Sequence, residues 1–233
     1  MMHIDPISGL PSQCRYGNIS FSQTGADFLL LNLFELLGIT NPSYLDVGAF
    51  HPTVISNTAL LYSRGSRGVN IEANPALIEN FYKARPEDLN INIGITPCGG
   101  EVEFYRIDSF SGRNTFDPEA AHGFVHENPS FQISDTLVLE TITLNKAVDT
   151  YCNGIFPDLL LIDIEGLDLN VLESTDFSSS HPKVICVETV DFKGESRYRD
   201  FAYLLLLKGF VPYCRLIADA IFVWNENAKE LNK

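Results

Sequence analysis

The segment Tyr44-Leu45-Asp46-Val47-Gly48-Ala49-Phe50 constrains this chain more than any other. A short apolar strand runs into an acid and then a glycine turn. Val69-Asn70-Ile71-Glu72 and Leu160-Leu161-Ile162-Asp163-Ile164-Glu165-Gly166 repeat the design, each an apolar run closed by a carboxylate. In a parallel α/β sheet the ligand site lies beyond the carboxyl ends of the strands. Strands that end this way converge on one crevice.

The rest of the chain supplies such a sheet. Strands are expected at 44–47, 67–71, 89–94, 159–163 and 183–188, with helices near 55–64, 75–84, 144–151, 167–174 and 197–207. Pro75 suits a first helical turn, and Gly209 ends the last helix. Strands 210–215 and 220–224, around Asp219, are spaced to form a hairpin. The alternation predicts a Rossmann-like α/β sheet of seven strands, mainly parallel, with helices on both faces and the last pair a hairpin. A helix over 28–37 precedes it, capped by Thr24 or Asp27 and stopped by Gly38. The rhythm breaks at about 97–142, where Glu101–Ile107 and Thr136–Thr143 alternate as antiparallel strands. Between them, 108–135 is a polar segment long enough to mark a functional or mobile loop. Residues 1–23 are expected to form an irregular arm, and residues 24–233 one domain carrying this insert.

Bulk properties narrow the function. With 45% hydrophobic residues among 233, the chain can bury a sizeable core. Thirty acidic residues against 16 basic ones give a net charge of -14, which repels a phosphate backbone and disfavours nucleic acid. The five cysteines include no C-x-x-C pair, and Cys186 sits in an apolar run as a buried thiol, so a reducing, cytoplasmic compartment is expected. Phe28–Ile39 is interrupted by Asn32 and Glu35 and is no membrane span.

Gly48 lets a ligand approach the backbone, with Asp46 just before it and Ala49 just after. Glu72, with Ala73, closes the next strand, where an acid accepts hydrogen bonds from both ribose hydroxyls. The fingerprint G-x-G-x-x-G is absent, and Pro52 removes a backbone donor that a pyrophosphate would use. The crevice therefore favours an adenosine without phosphates. S-adenosylmethionine fits, because its sulfonium suits a carboxylate-lined site. Read structurally, Gly48 is only a tight turn, Asp46 a helix cap and Glu72 a solvated strand end.

A family resemblance rests on these residues together. Tyr44–Phe50, Ser56-Asn57-Thr58, and Arg64-Gly65-x-x-Gly68-Val69-Asn70-Ile71-Glu72-x-Asn74-Pro75 resemble the FkbM-type S-adenosylmethionine-dependent methyltransferases. Leu161–Asp168, Val171-Leu172, Asn92–Ile95 and Lys183–Glu188 match as well, so the likeness spans roughly 20–224. It implies a class I methyltransferase fold and transfer of a methyl group to a hydroxyl, often on a sugar, glycan or polyketide-linked unit. It also implies that Asp46 and Gly48 flank the methionine end, that Glu72 holds the ribose, and that Ile93 and Gly94 lie near adenine. The chain departs from the family at Phe50-His51-Pro52, where many members carry Asn then Gly; Ser56 or Asn57 could then meet the methionine carboxylate.

On the acceptor side, Asp163 and Glu188 end two strands. If those strands are neighbours, the carboxylates stand about 5 Å apart. Such a pair either shares a proton or holds a divalent cation such as Mg²⁺, with Glu165 and Asp191 able to add oxygens. Helix capping and loop-amide bonding are the plainer roles for both residues. His51, after the glycine turn, is a candidate base. The segment Ser109–Phe116 mixes aromatics with hydrogen-bonding groups, as sugar sites do. Ser111, Arg113 and Asn114 are its candidate acceptor contacts, with Glu165. The sequence therefore predicts an O-methyltransferase acting on a sugar, glycan or glycosylated metabolite. Its rivals are an RNA or protein methyltransferase and a catalytically silent nucleotide-binding scaffold. Nothing in the chain indicates its oligomeric state.

Overall fold

The structure is a computed structural model, and it describes residues 20–108 and 111–227. The arm expected over 1–23 lies outside these apart from its last residues, as do Ser109, Phe110 and Cys14.

The first helix, α1 (Ala26–Leu36), leads into β1 (Tyr44–Val47), α2 (Ala59–Ser63), β2 (Gly68–Ile71), α3 (Pro75–Ala84) and β3 (Leu89–Ile91). After the insert come α5 (Leu144–Tyr151), β7 (Leu159–Ile162), α6 (Asp168–Ser174), β8 (Val184–Glu188), α7 (Tyr198–Lys208), β9 (Phe210–Arg215) and β10 (Asp219–Trp224). The main sheet has seven strands in the order β3-β2-β1-β7-β8-β10-β9. Its first five are parallel, and β10 runs antiparallel to both β8 and β9. The expected α/β sheet with a closing hairpin is thus the observed one.

Burial on both faces follows from the period of two along each strand. In β7, Leu160 and Ile162 join a core packed by α5, α6 and α7, while Leu159 and Leu161 join a second core packed by α1. Such near-continuous apolar runs are what a two-face-covered parallel sheet requires. The chain leaves β1 towards β2 and β3, then returns to β1's other side as β7. That reversal makes the carboxyl ends of β1 and β7 the switch point where a crevice must open.

Three expectations need correction. Thr24 and Asp27 do not cap α1: its N-cap is Gly25 at φ 82°, with no side-chain cap. Asp27 instead accepts from the Phe21 and Phe28 amides, and Thr24 donates to Asp219. The strand expected over 89–94 splits, because Gly94–Ile95 (β4) leaves the main sheet to pair with the insert. The insert is not one long loop. Its strands β5 (Gly100–Ile107) and β6 (Ile133–Ile142) pair antiparallel, and a helix, α4 (Pro118–Glu127), lies between them. Asp117 caps α4 by accepting from the Glu119 amide, with Pro118 in the first turn.

Candidate active site

β1 and β7 end side by side, and their register carries on past the strands, since the Asp163 amide donates to the Val47 carbonyl at 3.0 Å. Gly48 turns at φ 81° and presses on Asp163, whose carbonyl oxygen would stand 1.8 Å from any Cβ there. The glycine is therefore required by the strand junction itself. A crevice of about 440 Å³, open solvent included, begins at this junction. Gly48, Glu72, Ala73, Ile93, Gly94, Asn114 and Asp163 line it, with Ile71, Leu77, Phe104 and Phe116 as its apolar wall.

Glu72 is the best-defined group in the crevice. One carboxylate oxygen accepts from the Phe50 amide at 2.9 Å and the other from the Asn74 amide at 2.7 Å. Each oxygen keeps a further acceptor site, so both ribose hydroxyls can be held. Burial pushes Glu72 up to about 7, against the opposing pull of those amides. Gly94 admits Phe116, whose ring would lie 2.3 Å from a Cβ at that position, so the insert forms one wall of the crevice. Asn114 ties this wall down, with Oδ1 accepting from the Ile107 amide and Nδ2 donating to the Ser111 carbonyl.

Six sequence candidates lie outside both this crevice and the cleft beside it. Asp46 shares the sheet face of Tyr44 and accepts from the Thr58 hydroxyl at 2.6 Å. Burial raises its pKa, opposed by the Thr58 bond and by Arg85. Ser56 is spent on Arg85 and on the Ala59 amide, and Asn57 beside it lines neither space. His51 Nδ1 accepts from the Thr53 and Val54 amides, and burial lowers its pKa, with Arg85 adding to the effect. A ring nitrogen holding its own loop in this way is not free to take a substrate proton. Ser111, buried, accepts from the Arg113 amide and shapes the insert turn. Ala49 packs with Ile78 and Phe81.

Beside the crevice, and sharing Gly48, Phe50, Gly112 and Asp163 with it, lies a wider cleft of about 1280 Å³, open solvent included. β7 and β8 are parallel neighbours with Ile162 opposite Val187, so Asp163 and Glu188 follow in register, which meets the condition the sequence left open. Carboxylate oxygens of Asp163, Glu165 and Glu188 lie within 4.8 Å of one another. Burial, then the Glu188 charge, holds Asp163 well above the usual carboxylate range. Glu165 is raised by burial and then by Asp163. Glu188 is pushed up to about 9 by burial and then by Glu165. Arg113, stacked over Phe131, lowers both glutamates. Such a trio can share protons, accept one from a hydroxyl, or hold a cation. Phe50, Phe124, Phe131 and Phe192 give the cleft aromatic faces. Phe50 (φ 55°), Ile55 (φ 53°) and Glu165 (φ 54°) line it in left-handed backbone, an arrangement disfavoured for side-chain-bearing residues and concentrated at functional sites.

Sequence reasoning missed Arg85. Its guanidinium is 1% exposed and donates to Thr58 Oγ1, Asn70 Oδ1, Ser56 Oγ and the Pro52 carbonyl. It thereby pins the loop after Gly48 to the sheet. No sequence pattern distinguishes it from a surface arginine at a helix end.

A mainly parallel seven-stranded sheet with this order and hairpin, opening a crevice at the β1–β7 switch, defines the class I methyltransferase fold. The sequence model of the methyltransferase FkbM domain matches residues 46–212, and the chain belongs to that family. A structural comparison also finds a putative RNA methyltransferase from Pyrococcus horikoshii, 13% identical, with a TM-score of 0.44, covering 90% of this chain and 91% of that one. No curated protein matches the chain. No helix among the described residues is long and apolar enough to cross a membrane.

Proposed function

We propose that residues 24–233 act as one S-adenosylmethionine-dependent O-methyltransferase domain whose acceptor is an uncharged sugar hydroxyl, in a glycan or a glycosylated metabolite. The observation that carries this reading is the continuity of two spaces through Gly48 and Asp163. One is the crevice holding Glu72, and the other an aromatic, acid-lined cleft. When bound, S-adenosylmethionine supplies a methyl carbon on a positively charged sulfur.

Glu72 would hold the ribose, and the apolar wall around Ile93, Gly94 and Phe116 would take the adenine. The Asp163 and Glu188 carboxylates would receive the acceptor's hydroxyl proton as that hydroxyl is methylated. Alignment in the cleft accounts for much of the rate, and the carboxylates for the proton. Glu127, Asp163, Glu165, Glu188 and Asp191 face one cleft-lining arginine, Arg113. That balance favours a neutral glycan over a nucleotide sugar or RNA.

The test is labelled-methyl transfer to neutral glycans and nucleotide sugars, alongside calorimetry with S-adenosylhomocysteine. Binding with transfer to a neutral glycan supports the reading. Absence of cofactor binding defeats it and leaves a silent scaffold; transfer only to RNA or protein moves the acceptor class.

The close approach of three carboxylates supports a second reading, in which Asp163, Glu165 and Glu188 hold a divalent cation such as Mg²⁺ that polarises the hydroxyl. Turnover lost to a chelator and restored by Mg²⁺ is its expected outcome. A rate indifferent to both rejects it.

A further inference from the structure

Glu165 stands beyond the end of β7 in left-handed backbone, so its place in the acidic trio depends on what holds its main chain. Asp168, 5% exposed, accepts from the Ile164 amide at 2.9 Å and from the Gly166 amide at 3.1 Å, fixing the peptides on either side. The Glu165 carbonyl itself is held from the insert. Thr115, 1% exposed, donates its hydroxyl to that carbonyl at 2.7 Å and accepts from the Asp117 amide at 2.9 Å. Because the incoming amide occupies a lone pair, the hydroxyl proton is directed to Glu165. Thr115 is rigid in turn, exchanging both backbone hydrogen bonds with Tyr105. Gly166 seals the joint, since a Cβ there would meet Asp117 Oδ2 at 3.0 Å and the Ala120 Cβ at 3.1 Å.

We infer that Thr115 is a positioning residue: through its hydroxyl bond to the Glu165 carbonyl it keeps the Glu165 side chain beside Asp163 and Glu188. The inference rests on the acceptor-side role proposed above. It makes correct seating of the insert a condition for assembling the trio. A site on a strained turn needs such outside support, because a displacement of about 1 Å costs about 100-fold in rate.

Thr115→Val removes the hydroxyl at nearly constant shape, and Thr115→Ser keeps it. In the full chain, three quantities are measured: amide hydrogen exchange at Ile164 and Gly166, S-adenosylhomocysteine affinity, and methyl transfer to whichever neutral glycan the parent methylates. For Thr115→Val the expected result is exchange at both amides faster by about 10-fold and kcat lower by about 10-fold. Acceptor KM and S-adenosylhomocysteine affinity should stay within about 2-fold, with Thr115→Ser close to the parent throughout. Unchanged exchange in Thr115→Val, or a serine variant that behaves like valine, overturns the inference. If the valine variant does not fold, Thr115→Ala carries the same readouts, and loss of parent-like exchange in Thr115→Ser alone is enough to reject. Should the parent methylate no glycan, the functional reading fails while the exchange measurement still decides this one.

Discussion

The carbonyl oxygen of Asp163 occupies the place where a side chain on Gly48 would begin, 1.8 Å from an ideal Cβ. One contact thus joins the end of β1 to the end of β7 and sets the boundary between crevice and cleft. Gly48→Ala must adopt a left-handed backbone and push β7 away. The expected loss is on the order of 2–5 kcal/mol of stability, read from urea unfolding, together with loss of cofactor affinity. An alanine variant as stable as the parent would mean that the two strand ends do not touch.

Glu72→Ala leaves the Phe50 and Asn74 amides without their acceptor and removes the proposed ribose ligand. S-adenosylhomocysteine affinity should fall by about 10- to 100-fold in calorimetry, from the loss of hydrogen bonds worth about 1.5–3 kcal/mol in total. Glu72→Gln, with one carbonyl oxygen in place of two, should lie between alanine and the parent.

Glu72, Asp163, Glu165 and Glu188 all take up protons more readily in the fold than in the unfolded chain. Each favours the folded state while protonated, so stability is highest at low pH within this set and falls as pH rises. For Glu72 the fall runs from 4.5 to about 7, and for Glu188 from 4.5 to about 9. Glu72 alone accounts for about 3 kcal/mol of that loss. The thermal midpoint should therefore be lower at about pH 8.5 than at about pH 5.5, and Glu188→Gln should flatten the slope. A midpoint rising over that interval would contradict the burial of these groups.

Arg113 is the charge that lowers Glu165 and Glu188. If a deprotonated carboxylate takes the acceptor proton, Arg113→Ala should move the acid limb of the kcat profile to higher pH. Cofactor affinity should not change, because Arg113 does not line the crevice.

Arg85→Met removes the cation that holds Pro52, Ser56 and Thr58 and faces Asp88 at 4.0 Å. Removing one partner from such a buried network costs about 3–5 kcal/mol. The unfolding midpoint in urea reports it. A variant within about 0.5 kcal/mol of the parent, the range of an ordinary surface change, would show that the loop after Gly48 is held by other contacts.

Local chemistry decided what could be read in advance. β2, β7 and β8 announce themselves as apolar runs closed by acids, because a sheet covered on both faces needs such runs and a crevice needs polar strand ends. Gly48, Glu72, Asp163 and Glu188 were legible for that reason, while the neighbour relation of Asp163 and Glu188 depended on a strand order that the folded sheet supplies. The helix α4 left a signal in Asp117-Pro118, an N-cap followed by a first-turn proline, which the surrounding polar residues obscured.

Other features depend on contacts between distant segments, which no local pattern encodes. Asp46 and Val47 are adjacent, yet the pleat sends them to opposite faces, and only the arrival of Thr58 and Arg85 makes Asp46 a structural acid. His51 follows the glycine turn as a base would, but the loop folds back so that two of its own amides take the ring nitrogen. Thr115 meets Glu165 across 50 residues. Sequence alone determined the sheet and the acids at its strand ends, since both follow from periodicity and strand termination. Tertiary structure alone decided which polar side chains face the cleft and which are consumed in holding it, because that depends on where remote donors and acceptors come to rest.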